Sequence, residues 1–173
     1  AFVDGAVPSQ TLMLIAELGK SERGNARYSI ELLWRAGKYA DASEIREVTP
    51  ECVRNAVASA YPVVRKDMLP GLGLHKKLFL LSVARNFKQS DSAYVSMGEA
   101  EETYALVCEE YEEKSRGHTQ LWKYVKALSA AGIIETMVSG VGQRGKTTLI
   151  GLPRVPAADL EQEIVKILSR EGR

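Results

Sequence analysis

The sequence predicts a mainly α fold with one small β-hairpin near its end, and two stretches carry that prediction. The first is an amphipathic helix in the region 114–130. At about 100° per residue, Leu121, Val125 and Leu128 share one face of it, while Arg116, Thr119, Gln120, Lys123 and Lys126 take the opposite side. The second comes directly after it. Ile133–Val138 and Thr147–Ile150 are rich in β-branched residues, and Gly140-Val-Gly-Gln-Arg-Gly145 joins them. Glycine tolerates positive φ, so three glycines in six residues suit a hairpin tip. A basic helix that runs into a basic hairpin is the working half of a winged-helix module. Such a module lays its helix in the DNA major groove and its hairpin on the flanking backbone or minor groove.

A second pattern overlaps the hairpin. Gly140-x-x-x-x-Gly145-Lys146-Thr147 satisfies the phosphate-loop motif literally. That motif requires a helix immediately after it, so that phosphate meets a helix N-terminus. Here the chain continues as Thr147-Thr-Leu-Ile-Gly-Leu-Pro153, and its β-branched residues, glycine and proline predict a strand. The wing is the preferred reading.

The other elements can be taken in chain order. Ser9 is placed to cap a helix over Gln10–Leu18, with Gly19 as its stop. Asn25 is placed to cap a second helix from Ala26 to about Asp41, with Ala26, Ile30, Leu33, Trp34 and Gly37 as its apolar stripe. Thr49-Pro50-Glu51 opens a third helix, which runs to about Ala60 with Val53, Ala56 and Val57 inward. Pro70, Gly71 and Gly73 mark a linker. Residues 75–88 are apolar nearly all round and predict a buried central helix. Tyr94–Ser96 is a short strand. Gly98–Glu113 is an acidic helix with Tyr104, Val107, Cys108 and Tyr111 toward the core. After the basic helix and wing, Ala157–Arg170 forms a last helix with Leu160, Ile164, Ile167 and Leu168 as its stripe. The expected division is a helical bundle at 1–64, a linker at 65–74, a winged-helix domain at 75–155 and a C-terminal helix at 156–173.

Charge sharpens the functional reading. The 173 residues carry a net charge of only +1. Yet Glu99–Glu113 holds seven Glu and no Lys or Arg, and Lys114–Lys146 holds six Lys or Arg against Glu135 alone. The basic stretch is the one with DNA-reading geometry. Cys52 and Cys108 are far apart and no His/Cys cluster offers metal spacing, so no metal site is expected. No run approaches membrane-spanning length and no signal peptide is visible, so a cytoplasmic, nucleoid-associated protein without a membrane partner is expected. The chain opens at Ala1, which suggests a piece of a longer protein or a processed product.

Several of these pieces resemble one family, the archaeal origin-binding replication initiators, AAA+ relatives of the eukaryotic origin recognition complex. Gly24-Asn25-Ala26-Arg27 followed by Ile30-Glu31-Leu32-Leu33-Trp34-Arg35-Ala36-Gly37 looks like the lid helix of their ATPase module. Val48-Thr49-Pro50-Glu51-Cys52-Val53 resembles the start of the lid's last helix. Leu74-His75-Lys76-Lys77-Leu78 resembles the opening of their C-terminal winged helix, and Gly140–Leu149 resembles their wing. The resemblance implies a helical AAA+ lid followed by a winged helix, and puts Arg27 at the sensor 2 position, which contacts nucleotide phosphate. The alternative for Arg27 is a surface pair with Glu31, four residues on. The phosphate-binding loop and magnesium carboxylates of the family's ATPase core are absent from this chain. ATP or ADP with magnesium would therefore belong to the longer protein, and this chain alone is expected to be no enzyme and to hold no cofactor.

The expected function is binding of double-stranded origin DNA. Arg116, Thr119 and Gln120 are the candidates for base edges, Lys123 and Lys126 for phosphates, and His118 for the helix start. Gln143, Arg144 and Lys146 belong to the wing, with Arg144 suited to a narrow minor groove. Trp122 is expected in the core. The alternative is a winged helix used for protein contact, with another initiator subunit or a replicative helicase. The acidic helix and the terminal helix favour that alternative.

Overall fold

The computed structural model describes residues 2–60, 68–90, 92–138 and 147–172. The chain divides into two compact units. The first takes Ala1–Val64 with the short segments Asp91–Ala93 and Pro153–Pro156; the second takes Arg65–Ser90, Tyr94–Leu152 and Ala157–Arg173.

The first unit is built on α1 (Ser9–Ser21), α2 (Ala26–Ala42) and α3 (Pro50–Ala60). Leu14, Ile15 and Leu18 of α1 are buried, as are Leu32, Ala36 and Ala40 of α2 and Cys52, Val53, Ala56 and Val57 of α3. Thr11 Oγ1 donates to the Val48 carbonyl at 2.7 Å and ties α1 to the approach of α3. Asn25 caps α2 as expected, its side-chain oxygen accepting the Tyr28 N–H at 3.2 Å.

Three expectations fail here. Ser9 does not cap α1; the cap is Pro8, which makes no side-chain bond. Gly19 does not stop α1, which begins at Ser9 and runs through to Ser21. Gly19 is instead a point of close approach, where an added Cβ would lie 2.1 Å from Ser29 Oγ of α2. The turn is made by Gly24, at φ +71°. The apolar stripe assigned to α2 is also wrong in part, for Ile30 is 69% and Trp34 56% exposed. The buried face is Leu32, Ala36, Gly37 and Ala40, small residues that let neighbouring helices come close. Trp34 lies on the outer face, with Lys38 Nζ 4.9 Å from its ring centroid.

The second unit forms around α4 (Leu74–Gln89), which packs against α5 (Met97–Glu110), α6 (His118–Ala130) and α7 (Ala157–Arg170). Leu78, Phe79, Leu80, Leu81, Val83, Ala84 and Phe87 are all buried, so the helix is apolar all round because it is covered all round. Ser82 is buried with them and donates to the carbonyls of Phe79 and Ala100. Between α4 and α5 lies β1 (Val95–Ser96); after α6 come β2 (Glu135–Val138) and β3 (Thr148–Gly151). The sheet is antiparallel in the order β1-β3-β2, with Val95 opposite Ile150 and Thr136 opposite Ile150 on the other edge. Ser96 and Glu99 form a reciprocal capping box at the start of α5. Thr147 thus leads into a strand paired on both edges, with no helix start for a phosphate loop. The fold is mainly helical with one small sheet, the winged-helix order predicted from sequence.

Candidate nucleic-acid interface

Glycine begins α6. Gly117 is the N-cap of α6 and offers no side-chain cap, so the first-turn N–H groups point outward without a side-chain acceptor at Gly117. Such a helix start favours anions. The inner face of α6 is buried through Leu121, Tyr124, Val125 and Leu128, which fixes the rotation of the helix. Thr119, Lys123 and Lys126 then share a narrow exposed sector, as their spacing of four and three requires. Neither Lys123 nor Lys126 makes an ion pair among the described residues. Gln120 is half-buried beside that sector.

The structure moves two residues from their expected places. Arg116 is not on the helix; it lies one residue before the cap, in the irregular segment 111–117 that joins α5 to α6. Glycine at position 117 ends the helical pattern that the amphipathic periodicity extends backward. Arg116 is exposed, and its guanidinium has no ion-pair partner among the described residues. Trp122 is half-buried rather than a core residue. It lines an open groove with Met97, His118, Thr119, Thr147 and Thr148, between α6 and the foot of the hairpin. Lys126 Nζ is 5.5 Å from the Trp122 ring centroid. Gln143, Arg144 and Lys146 lie outside the described residues.

Sequence reasoning did not foresee the polar contacts behind this face. His118 Nδ1 lies 2.8 Å from Glu101 Oε2, so the acidic α5 reaches the first residue of α6. Tyr104 is buried, edge-on to Phe79, and its hydroxyl accepts the Arg116 N–H at 3.3 Å and meets His75 Nδ1 at 2.8 Å. Burial holds the Tyr104 hydroxyl well above the usual tyrosine range, with Cys108 adding to the shift. Burial also pushes the Cys108 thiol up. His75 is lowered by burial and by the charge of Arg116, against a smaller opposing pull from Glu113. The signal that could have revealed this cluster is the run of Tyr, Cys and His at positions that must be core.

Arg27 belongs to the first unit. It is the second residue of α2 and is exposed. Glu31, its partner in the alternative reading, is instead bonded to Arg35 at 2.7 Å, and Arg27 makes no ion pair among the described residues. Also among the described residues, no group of three His, Cys, Asp or Glu could hold a metal ion, and no helix is long and apolar enough to cross a membrane.

Fold and site together define a class: a helical bundle followed by a winged helix whose basic helix and hairpin share one end. The family description "CDC6, C terminal winged helix domain" matches residues 67–162, and "Cdc6 AAA+ ATPase-type lid domain" matches residues 1–58. The chain belongs to the Cdc6 family. It is 35% identical over 158 residues to the ORC1-type DNA replication protein 2 of Sulfolobus acidocaldarius, an alignment covering 88% of this chain and 38% of the relative. The crystal structure of Cdc6p from Pyrobaculum aerophilum is similar with a TM-score of 0.82 at 34% identity, over 99% of this chain and 45% of that one. The Aeropyrum pernix ORC1 protein in complex with DNA is similar with a TM-score of 0.55 at 25% identity, over 98% of this chain and 44% of that one. The chain thus spans less than half the length of each.

Proposed function

We propose that this chain is the DNA-binding part of a replication initiator and binds double-stranded DNA at replication origins. In this reading α6 enters the major groove and the hairpin lies on the minor groove. The observation that carries it is the exposed sector of Thr119, Lys123 and Lys126, which has no ion-pair partner among the described residues and lies beside an N-terminus with no side-chain cap. Lysines on such a face contact phosphates and release counterions, which gives most of the affinity and a steep salt dependence. The similarity to DNA replication proteins, one of them solved on DNA, supports the same reading. The test is retention of the chain on duplex DNA at low salt and its release at high salt; a chain that passes through unretained at low salt rejects the reading.

In the longer protein, Arg27 would reach a nucleotide phosphate. Its exposure at the start of α2 leaves the guanidinium open to a phosphate. The rest of the nucleotide and its magnesium would be held by the ATPase core, so this chain alone has no catalytic role and would act in the nucleoid with DNA as its principal partner. A second reading, protein contact with another initiator subunit or a helicase, is favoured by Leu106. It is 65% exposed on α5, between Glu102 and Glu109.

A further inference from the structure

Tyr104 is 1% exposed, a position in a core where phenylalanine would serve the packing equally well. Its hydroxyl instead holds the chain on the way into α6. Helix α5 ends at Glu110, and Glu112 takes the left-handed conformation at φ +54°. That turn closes with the Glu113 N–H donating to the Cys108 carbonyl at 2.8 Å. It carries the Glu113 carboxylate to 3.7 Å from His75 Nε2. Three residues on, the Arg116 N–H donates to Tyr104 Oη, and the other side of that oxygen meets His75 Nδ1. With the His75 ring neutral and its proton on Nε2 facing Glu113, Nδ1 accepts the Tyr104 proton. One hydroxyl is then both the acceptor for the Arg116 backbone and a donor to the first turn of α4.

We propose that Tyr104 and His75 are positioning residues for DNA binding, holding the segment 111–117 so that the Arg116 side chain meets the duplex beside the first turn of α6. The inference rests on the DNA-binding reading above. Segment 111–117 belongs to no helix or strand, and Gly117 has no side chain to orient the helix start. A loose segment would leave Arg116 to be ordered at the moment of binding, and pre-organisation removes that cost. Arg116 also feels this site electrically, since its charge is among the causes that lower His75.

The test is a double-mutant cycle on the full chain, read by fluorescence anisotropy on one duplex over several salt concentrations, with thermal melts alongside. Tyr104→Phe should keep the ring and the fold, weaken binding about fivefold, the worth of one hydrogen bond, and lower the salt slope by about one. In an Arg116→Ala background the same change should cost nothing further. His75→Asn, which keeps a polar atom near Nδ1, should bind as the parent chain does, and His75→Leu should bind as Tyr104→Phe does. The His75 pair reads the same point if Tyr104→Phe melts. The proposal is overturned if Tyr104→Phe binds as the parent does, or if its loss and that of Arg116→Ala multiply in full. Equal binding by the parent and Arg116→Ala overturns it as well, by removing the contact. Failure of every protein, parent included, to bind duplex DNA marks the failure of the DNA reading itself.

Discussion

His118 Nδ1 sits 2.8 Å from Glu101 Oε2, so a carboxylate of the acidic helix α5 holds the first residue of α6. This pair places a negative charge beside the face where phosphate is expected. Glu101→Gln should therefore strengthen duplex binding at low salt, by about two- to threefold, with the gain fading as the Debye length shortens. A duplex titration at two ionic strengths checks this; weaker binding by the variant at both would show that Glu101 orients His118 for the DNA instead of competing with it.

Arg85 of α4 ties the second unit together. It bonds both oxygens of Glu110 on α5 and, through Nε, Glu161 on α7 at 3.1 Å. Lys88 also reaches Glu161. The hydrogen bonds from Arg85 lower Glu110. Burial pushes Glu161 up, but its bonds to Lys88 and Arg85 more than offset this and leave it lowered. Carboxyls lowered in the folded state contribute stability above their ordinary value of about 4.3, and lose it as pH falls through the folded values. Thermal midpoints should thus hold from pH 7 down to about 4.5 and drop below it. Arg85→Met should cost about 1–2 kcal/mol at neutral pH, since Glu110 is half-exposed and screened, and should flatten the acid drop. Parallel acid profiles for the two proteins would remove Arg85 from this role.

How far the sequence carried the fold depends on the scale of the pattern. The all-round apolar α4 and the stripe Leu160, Ile164, Leu168 of α7 were legible because burial there follows residue bulk. Ile30 and Trp34 misled for the same reason, since the inner face of α2 is chosen for small residues and close approach. Lys123 and Lys126 were legible as a face, because helical periodicity alone puts them together. Arg116 was not, because a cap without a side chain left no strong stop signal. Long-range polar bonds leave no local trace at all. Arg54 is 1% exposed, donating to Glu51 and to the carbonyls of Ser92 and Ala93 within the first unit, and only its spacing of three from Glu51 hinted at any of this. The Tyr104–His75 contact spans 29 residues in the same way.

Arg27 provides a test that separates this chain from its longer relatives. It is exposed, and Glu31, its partner in the alternative reading, is engaged by Arg35. Arg27→Ala in this chain should leave stability within about 0.5 kcal/mol and duplex affinity unchanged. In a protein restored with an ATPase core, the same change should weaken the response to nucleotide if, as proposed, the guanidinium is the phosphate ligand of the lid. Unaltered nucleotide binding and turnover in that restored protein would return Arg27 to the surface.

The last prediction divides the interface by kind of contact. Lys123 and Lys126 are exposed point charges on one sector of α6, suited to phosphates, which carry no sequence information. Replacing either with Ala should weaken binding alike on every duplex and lower the salt slope by about one. Gln120 lies half-buried near the helix start, where a planar amide can meet a base edge. Its replacement should leave the salt slope alone and relax sequence preference, by about 1–3 kcal/mol at one base pair for a bidentate contact. Arg144, outside the described residues, should matter most where an A·T-rich minor groove is narrow and its negative potential is enhanced. Anisotropy titrations of each variant on an origin duplex and a scrambled one, across salt, separate these signatures. If Lys123→Ala and Lys126→Ala bind both duplexes as the parent does, the basic sector is merely solvated. The exposed Leu106 face of α5 then becomes the better guide to what this domain touches.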